Sequence, residues 1–301
     1  MKSPITDKYE FIKKCNICGE KKRTFIFLVG KQNLVKCSKC DLTYLDKQRI
    51  DIDTLYDNNY YKNSEKNSVA NYCDYTSQEK VVKNKFKFAY SYIYNNSSKN
   101  SKLLEIGSGF GFFLKYLPKY IKFSAVEISK EGAKKITDNN SNTKVYNIDF
   151  TKTKLKESFD FIVSFDVIEH QIDLKKYLVK VHSLLNKKGV FIFTTPDYGT
   201  LLNKIFGSKA PTIQPLYHNY YFDHKWLKTN LPKMKFKITY LKTTRFEQMN
   251  IGTILLYLTF AIPFLKRIHL LKFAKFTKVE SIIVPFFRFG GIECIVRKVD
   301  E

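Results

Sequence analysis

The sequence predicts an α/β fold, a mostly parallel sheet flanked by helices, with a small cysteine-held module ahead of it. Three observations predict this. Leu103-Leu-Glu-Ile-Gly-Ser-Gly-Phe-Gly111 is a short apolar run entering three alternate glycines, a strand followed by a tight turn that a ligand can approach closely. About twenty positions later Phe123-Ser-Ala-Val runs into Glu127, a second strand ending in a carboxylate placed for two ribose hydroxyls. Cys15-Asn-Ile-Cys18 and Cys37-Ser-Lys-Cys40 form two C-x-x-C units separated by eighteen residues. The first two features together describe a nucleoside-bearing cofactor lying across the carboxyl ends of parallel strands.

The dinucleotide fingerprint is G-x-G-x-x-G, with a helix N-terminus facing a pyrophosphate. Here the spacing is Gly107-x-Gly109-x-Gly111, and Glu105 lies two residues before the first glycine. A carboxylate beside a pyrophosphate would set like charges together in a poorly solvated crevice. Glu105 suits a cationic ligand instead, such as the amino group and sulfonium of S-adenosyl-L-methionine. The stretch closely resembles motif I of the class I S-adenosylmethionine-dependent methyltransferases, which implies cofactor contacts from Glu105, Gly107, Ser108, Gly109 and Gly111.

The later elements resemble the same family in register. Glu127, with Ile128 beside it, matches the ribose-binding acid at the end of strand two. Val145-Tyr-Asn-Ile-Asp149-Phe150 resembles strand three, with Asp149 where the family's acid meets the adenine amino group and Phe150 adjoining. Phe159–Phe165 resembles strand four and leads into Asp166-Val-Ile-Glu-His170, so Phe165 and Asp166 are expected at the cofactor. A D-V-x-E-H run is frequent there in small-molecule and glycan methyltransferases, the ubiquinone-type O-methyltransferases included. Gly189–Pro196 resembles strand five, Phe236–Leu241 strand six, and Gly291–Arg297 the final strand. The resemblance spans roughly residues 70–240 and implies a Rossmann-like, seven-stranded, mostly parallel sheet with an antiparallel last strand.

Residues 1–48 read as a zinc-ribbon-like module. Each C-x-x-C turn directs two thiolates toward one point, and Cys15, Cys18, Cys37 and Cys40 together can close a tetrahedral Zn2+ site. Thr24–Val29 and Leu34–Lys36 are its expected hairpin. Four thiolates leave no open coordination position, so the ion is expected to be structural. The competing reading is a redox role for one C-x-x-C, against which the duplicated pair argues. Cys73 and Cys294 are left over and read as buried small hydrophobes.

Residues 49–98 form a linker and cofactor-covering helices, and 99–301 the cofactor-binding domain. Val82, Phe86, Ala89 and Ile93 recur at helical spacing within 79–94. In related enzymes a tyrosine from this region lines the pocket, and Tyr72 and Tyr75 are the candidates. For catalysis, His170 follows strand four at the carboxyl edge of the sheet and is the leading general base for a hydroxyl acceptor. His218, in Pro215-Leu-Tyr-His-Asn-Tyr-Tyr-Phe222, resembles the family's loop bordering the acceptor and ranks second; His224 ranks third.

Apolar residues make up 44% of the chain, which excludes wholesale disorder. The net charge of +24 comes mostly from dispersed lysine, without the arginine-rich tract of an RNA-binding arm. The opening residues lack the apolar core of a secretory signal, and the expected location is the cytoplasm, with peripheral contact at the inner face of the cell membrane left open. That contact would come from an apolar insertion at about 248–278. Residues 251–265 carry no charge, and basic residues are interleaved through 266–276. Fifteen uncharged residues fall short of the roughly 20 needed to span a bilayer. A core or dimer-interface helix, an interfacial segment and a true span all stay open, as do monomer and homodimer.

The expected activity is transfer of a methyl group from S-adenosylmethionine to a hydroxyl of a glycan, sugar or other small molecule. Sugar C-methylation, RNA methylation and a non-catalytic cofactor-binding role are the alternatives. Asp166-Val-Ile-Glu stands where an N-P-P-Y-type motif would read a nucleobase, which makes a nucleic-acid partner the weaker expectation.

Overall fold

The computed structural model describes residues 8–51, 79–139, 142–210, 212–243, 247–250 and 283–300. Tyr72 and Tyr75 and the apolar stretch 251–276 lie outside the described residues.

The N-terminal module begins with β1 (Tyr9–Phe11) and a hairpin of β2 (Arg23–Val29) and β3 (Gln32–Cys37), followed by β4 (Thr43–Leu45) and β5 (Lys47–Arg49). Gly30 turns the hairpin at φ +60°, a left-handed conformation that costs glycine nothing sterically. The cofactor-binding part then runs α1 (Glu79–Asn96), β6 (Lys102–Ile106), β7 (Lys122–Val126), α2 (Lys130–Asn139), β8 (Lys144–Tyr146), β9 (Phe159–Phe165), α3 (Leu174–Leu184) and β10 (Leu185–Pro196). After it come α4 (Leu201–Phe206), β11 (Tyr220–Tyr221), α5 (His224–Asn230), β12 (Phe236–Thr243), β13 (Glu247–Asn250), β14 (Ile283–Phe289) and β15 (Gly291–Lys298).

Seven strands form one sheet in the order β12-β15-β10-β9-β6-β7-β8. β6 pairs in parallel with β7 and β9, β9 with β10, and β7 with β8. β15 is antiparallel to both its neighbours, β10 and β12, as expected of the last strand. The expected α/β class, seven strands and antiparallel last strand are therefore present.

The central strands read as continuous apolar runs because both of their faces are covered. On one face α1 lays Phe86, Ala89 and Ile93 over Leu103, Ala125, Val163 and Ile192. On the other, α3 buries Leu174, Tyr177, Leu178, Val181 and Leu184, the three-to-four spacing of a helix stripe. The Asp173 side chain starts that helix by accepting from the Lys176 amide at 2.9 Å. Each such side chain, fully buried, contributes about 1.5–3 kcal/mol.

The module is not a detached bead. Its sheet has the order β11-β4-β3-β2, so its outer strand is supplied from residues 220–221, with Tyr220 opposite Tyr44 and Tyr221 opposite Thr43. Its buried Cys15, Cys37, Leu42 and Tyr44 share one continuous core with Tyr177, Phe222, Trp226 and Leu227. Among the described residues no helix is long and apolar enough to cross a membrane.

Candidate active site and cysteine cluster

The glycine turn leaves β6 with Gly107, Gly109 and Gly111 at φ +74°, +55° and +75°. A Cβ on Gly107 would stand 2.4 Å from a Val167 methyl, so glycine is needed there for both conformation and space. The turn is thereby pressed against the segment that follows β9. The Glu127 carboxylate, at the end of β7, accepts from the Gly109 amide at 2.7 Å and the Ser129 amide at 2.8 Å. It is buried, and it locks the turn to the second strand. Asn147 donates to the carbonyls of Glu127 and Ile128 at 2.8 and 3.0 Å, fixing the strand end from the other side. Ile128 itself is half-buried.

Glu105 projects from the buried body of β6 and is 3% exposed. Its Oε2 has no hydrogen-bond partner among the described residues. Burial, reinforced by the nearby Glu127 charge, holds its carboxyl well above the usual carboxylate range. A buried, unsatisfied acid costs free energy until a donor arrives, and a protonated amine is the donor that fits. The residues therefore suit S-adenosylmethionine: an orphaned acid for its amino group, a backbone cradle, and a strand-end acid near the ribose position.

The remaining expected cofactor residues are placed as follows. Ser108 is buried and its hydroxyl donates to the Glu105 carbonyl at 3.2 Å. Asp149 accepts from the Thr151 amide and hydroxyl, each at 2.8 Å. Burial opposes its ionisation, but those bonds and the Lys152 ammonium outweigh it and lower its pKa. Phe150 is buried against Tyr177, ring centroids 5.4 Å apart, with the Lys180 ammonium 4.5 Å from its own centroid. Phe165 lies under α1, its ring 4.2 Å from that of Phe86 and 4.9 Å from that of Phe113. Asp166 takes a left-handed φ of +53°, held by Thr194, whose hydroxyl donates to its carboxylate at 2.7 Å. Left-handed backbone is uncommon outside glycine, although aspartate tolerates it better than most residues.

The sequence reading missed Tyr90. It stacks on Phe113 at 4.5 Å and donates to the Phe113 carbonyl at 3.1 Å. Burial, followed by the Glu105 charge, raises its phenol pKa. Its helical spacing from Phe86 was the available signal.

His170 and His218 meet. Their rings are 4.9 Å apart, edge to face. His170 Nδ1 lies 2.8 Å from the Tyr217 carbonyl, and His218 Nδ1 3.1 Å from the Thr212 carbonyl. A carbonyl only accepts, so a proton on each Nδ1 satisfies these two contacts, and the Asp166 backbone and carboxylate also act on the His170 ring. Glu169 is buried, takes a 3.0 Å bond from the Thr195 hydroxyl, and has Oε1 3.9 Å from His170 Nε2. One ligand-type atom from each of Glu169, His170 and His218 falls within 4.8 Å of the others. Burial lowers the pKa of His170; burial and its neighbour His170 lower that of His218 to about 3. Both rings are neutral near pH 7. His224 stands apart from the pair, its Nε2 2.8 Å from the Thr243 hydroxyl and 3.6 Å from Asp197.

The four cysteines converge as the spacing predicts, with one sulfur from each within 4.8 Å of the rest. Cys15 and Cys40 sulfurs are 3.6 Å apart, Cys18 and Cys37 sulfurs 3.5 Å. Tetrahedral zinc with its usual thiolate bond lengths sets sulfurs about 3.8 Å apart. Gly19 at φ +74° and Asp41 at φ +62° reverse the chain just after Cys18 and Cys40. Burial pushes the Cys37 thiol up to about 11, so thiolates form there only when a cation compensates them. The donor set fits zinc.

The family described as "Methyltransferase domain" matches residues 79–236. Among solved structures, a candidate sarcosine dimethylglycine methyltransferase from Galdieria sulphuraria is 15% identical, with 83% of this chain and 99% of that chain covered and a TM-score of 0.52. A chain from a complex between the Haloferax volcanii Trm112 methyltransferase activator and a candidate methyltransferase gives 12%, 75%, 93% and 0.55 in the same order. Magnesium protoporphyrin IX methyltransferase from Synechocystis PCC 6803, solved with S-adenosylhomocysteine, gives 10%, 79%, 92% and 0.50. At these identities the likeness is one of fold. None of the curated proteins compared with the chain matches it. The matched domain covers the glycine turn, both strand-end acids and the histidine pair, and the chain belongs to the methyltransferase-domain family as an S-adenosylmethionine-dependent enzyme.

Proposed function

We propose that the enzyme methylates a hydroxyl of a small molecule or glycan, with His170 as general base, and that the four cysteines hold a structural zinc ion. The observation that carries the first part is the neutral imidazole pair at the carboxyl edge of β9, beside the turn that follows β6. S-adenosylmethionine, when bound, supplies an electrophilic methyl group on a sulfonium. The protein's share is alignment and one proton. The glycine turn, Glu105 and Glu127 hold the donor, and alignment alone can remove several kcal/mol of barrier. His170 holds Nδ1 on the Tyr217 carbonyl, and its Nε2 is the proposed acceptor of the hydroxyl proton. His218 lies edge-on to it and shapes the acceptor side.

The test is turnover of radiolabelled S-adenosylmethionine against a panel of hydroxylated acceptors, sugars and glycans first. With an acceptor in hand, His170→Gln is expected to lower turnover at least roughly tenfold, with S-adenosylhomocysteine affinity unchanged. Unaltered turnover at saturating acceptor would rule His170 out as base.

A further inference from the structure

The cysteine module is tied to the histidine pair by side-chain amides, Asn16 half-buried and Asn219 buried. Asn16 lies between Cys15 and Cys18, and its side chain donates to the Ile172 carbonyl at 2.9 Å and to the Tyr220 hydroxyl. The Tyr220 hydroxyl in turn donates to that Ile172 carbonyl at 2.8 Å. Asn219, next to His218, donates its backbone amide to the Glu169 carbonyl at 2.8 Å. Its side-chain amide donates to the His170 and Gln171 carbonyls at 3.3 and 3.1 Å. Its own carbonyl accepts from the Leu45 amide at 3.0 Å and the Gln48 side chain at 3.4 Å. Asn230 closes the far side by donating to the Cys40 carbonyl at 3.1 Å.

Asn219, Tyr220, Gln48 and Asn230 are all buried. An amide stranded in such a place costs about 1–3 kcal/mol, so the network holds or fails largely as a unit. The donor side is built otherwise. Gly107 and Gly109 donate to the Val126 carbonyl and the Glu127 carboxylate, within the large domain.

We propose that Asn16 and Asn219 are positioning residues for the His170–His218 pair, and that a metal ion on Cys15, Cys18, Cys37 and Cys40 sets the pair's geometry through them. The ion fixes the turn that carries Asn16; Asn16 fixes Ile172 and Tyr220; Asn219 fixes the backbone of residues 169–171. Loss of the ion then loosens the acceptor side and spares the donor side. The functional weight of this coupling rests on the proposed role of His170.

The test uses the full chain loaded with zinc, long-range 1H–15N NMR of its imidazoles assigned with His170→Gln and His218→Gln, and calorimetric titration with S-adenosylhomocysteine. Asn16→Asp and Asn219→Asp remove the donors without changing shape. The expected result is retained zinc and S-adenosylhomocysteine affinity within about threefold, while the His170 and His218 imidazole signals broaden or shift. Chelation, which removes the zinc, is expected to move the same two imidazole signals while S-adenosylhomocysteine affinity stays within about threefold. Where chelation or an aspartate variant unfolds the chain, Asn16→Ser, judged by zinc content and near-ultraviolet circular dichroism, decides. Imidazole signals unmoved in zinc-loaded, folded variants overturn the coupling. Failure of the unaltered protein to bind S-adenosylhomocysteine would sink the cofactor reading instead, and the imidazole signals would still decide this one.

Discussion

Glu105 is the residue whose chemistry depends most on a ligand. Burial and the Glu127 charge raise its pKa, its Oε2 lacks a hydrogen-bond partner among the described residues, and an ammonium group placed there would favour its charged form. S-adenosylhomocysteine binding is therefore expected to release protons at pH values where free Glu105 is protonated, seen as a dependence of calorimetric enthalpy on buffer ionisation heat. Glu105→Gln should abolish that dependence and weaken binding at least roughly tenfold, the scale of one charge-assisted hydrogen bond. Gly107 makes a second prediction. Alanine there meets both the positive φ and the Val167 methyl, so Gly107→Ala should cost about 1–3 kcal/mol in urea unfolding. Gly19 has a similar φ with nothing within 4 Å of an added Cβ, and its alanine variant should cost less.

Among elements, the strands were legible because buried parallel strands have a plain signature, short apolar runs ending in turn residues. Phe159–Phe165 emerged with the bounds expected of it. Strand three shrank to Lys144–Tyr146 because the chain turns at Asp149 to satisfy Thr151. The short strands of the module outside its hairpin were not legible; β4 and its partner β11, for example, join Thr43–Tyr44 to Tyr220–Tyr221, a pairing with no local period. The thiolate cluster was legible from spacing, while the amides at Asn16 and Asn219 were not. Asparagine reads as a turn former unless its distant partners are known. Cys37→Ser is expected to lower bound zinc below stoichiometric and to lower the melting temperature, measured by atomic emission and calorimetry; full zinc retention would sink the metal assignment.

For the molecule as a whole, low pH should be destabilising through its buried histidines. His218 titrates near 3 in the folded chain and near 6.5 when unfolded. Between those values the unfolded chain binds the extra proton, so stability is full above about pH 6.5 and falls as pH is lowered toward 3. Urea midpoints at pH 7 and pH 5 should differ, and His218→Gln should narrow the gap. The glycine turn and Glu127 were readable because they sit in contiguous motifs. The proposed acceptor half is assembled from residues 169–171, 212–218 and the cysteine turns, whose meeting is a product of topology.

One arrangement bears on how the chain is made. The strand that completes the ribbon's sheet comes from residues 220–221, so during synthesis the edge of β4 waits for most of the polypeptide to emerge. At ribosomal rates that wait lasts on the order of ten seconds, with an unpaired apolar edge open to strays. Metal captured early by the nascent cysteines would shorten the search that the late strand must make.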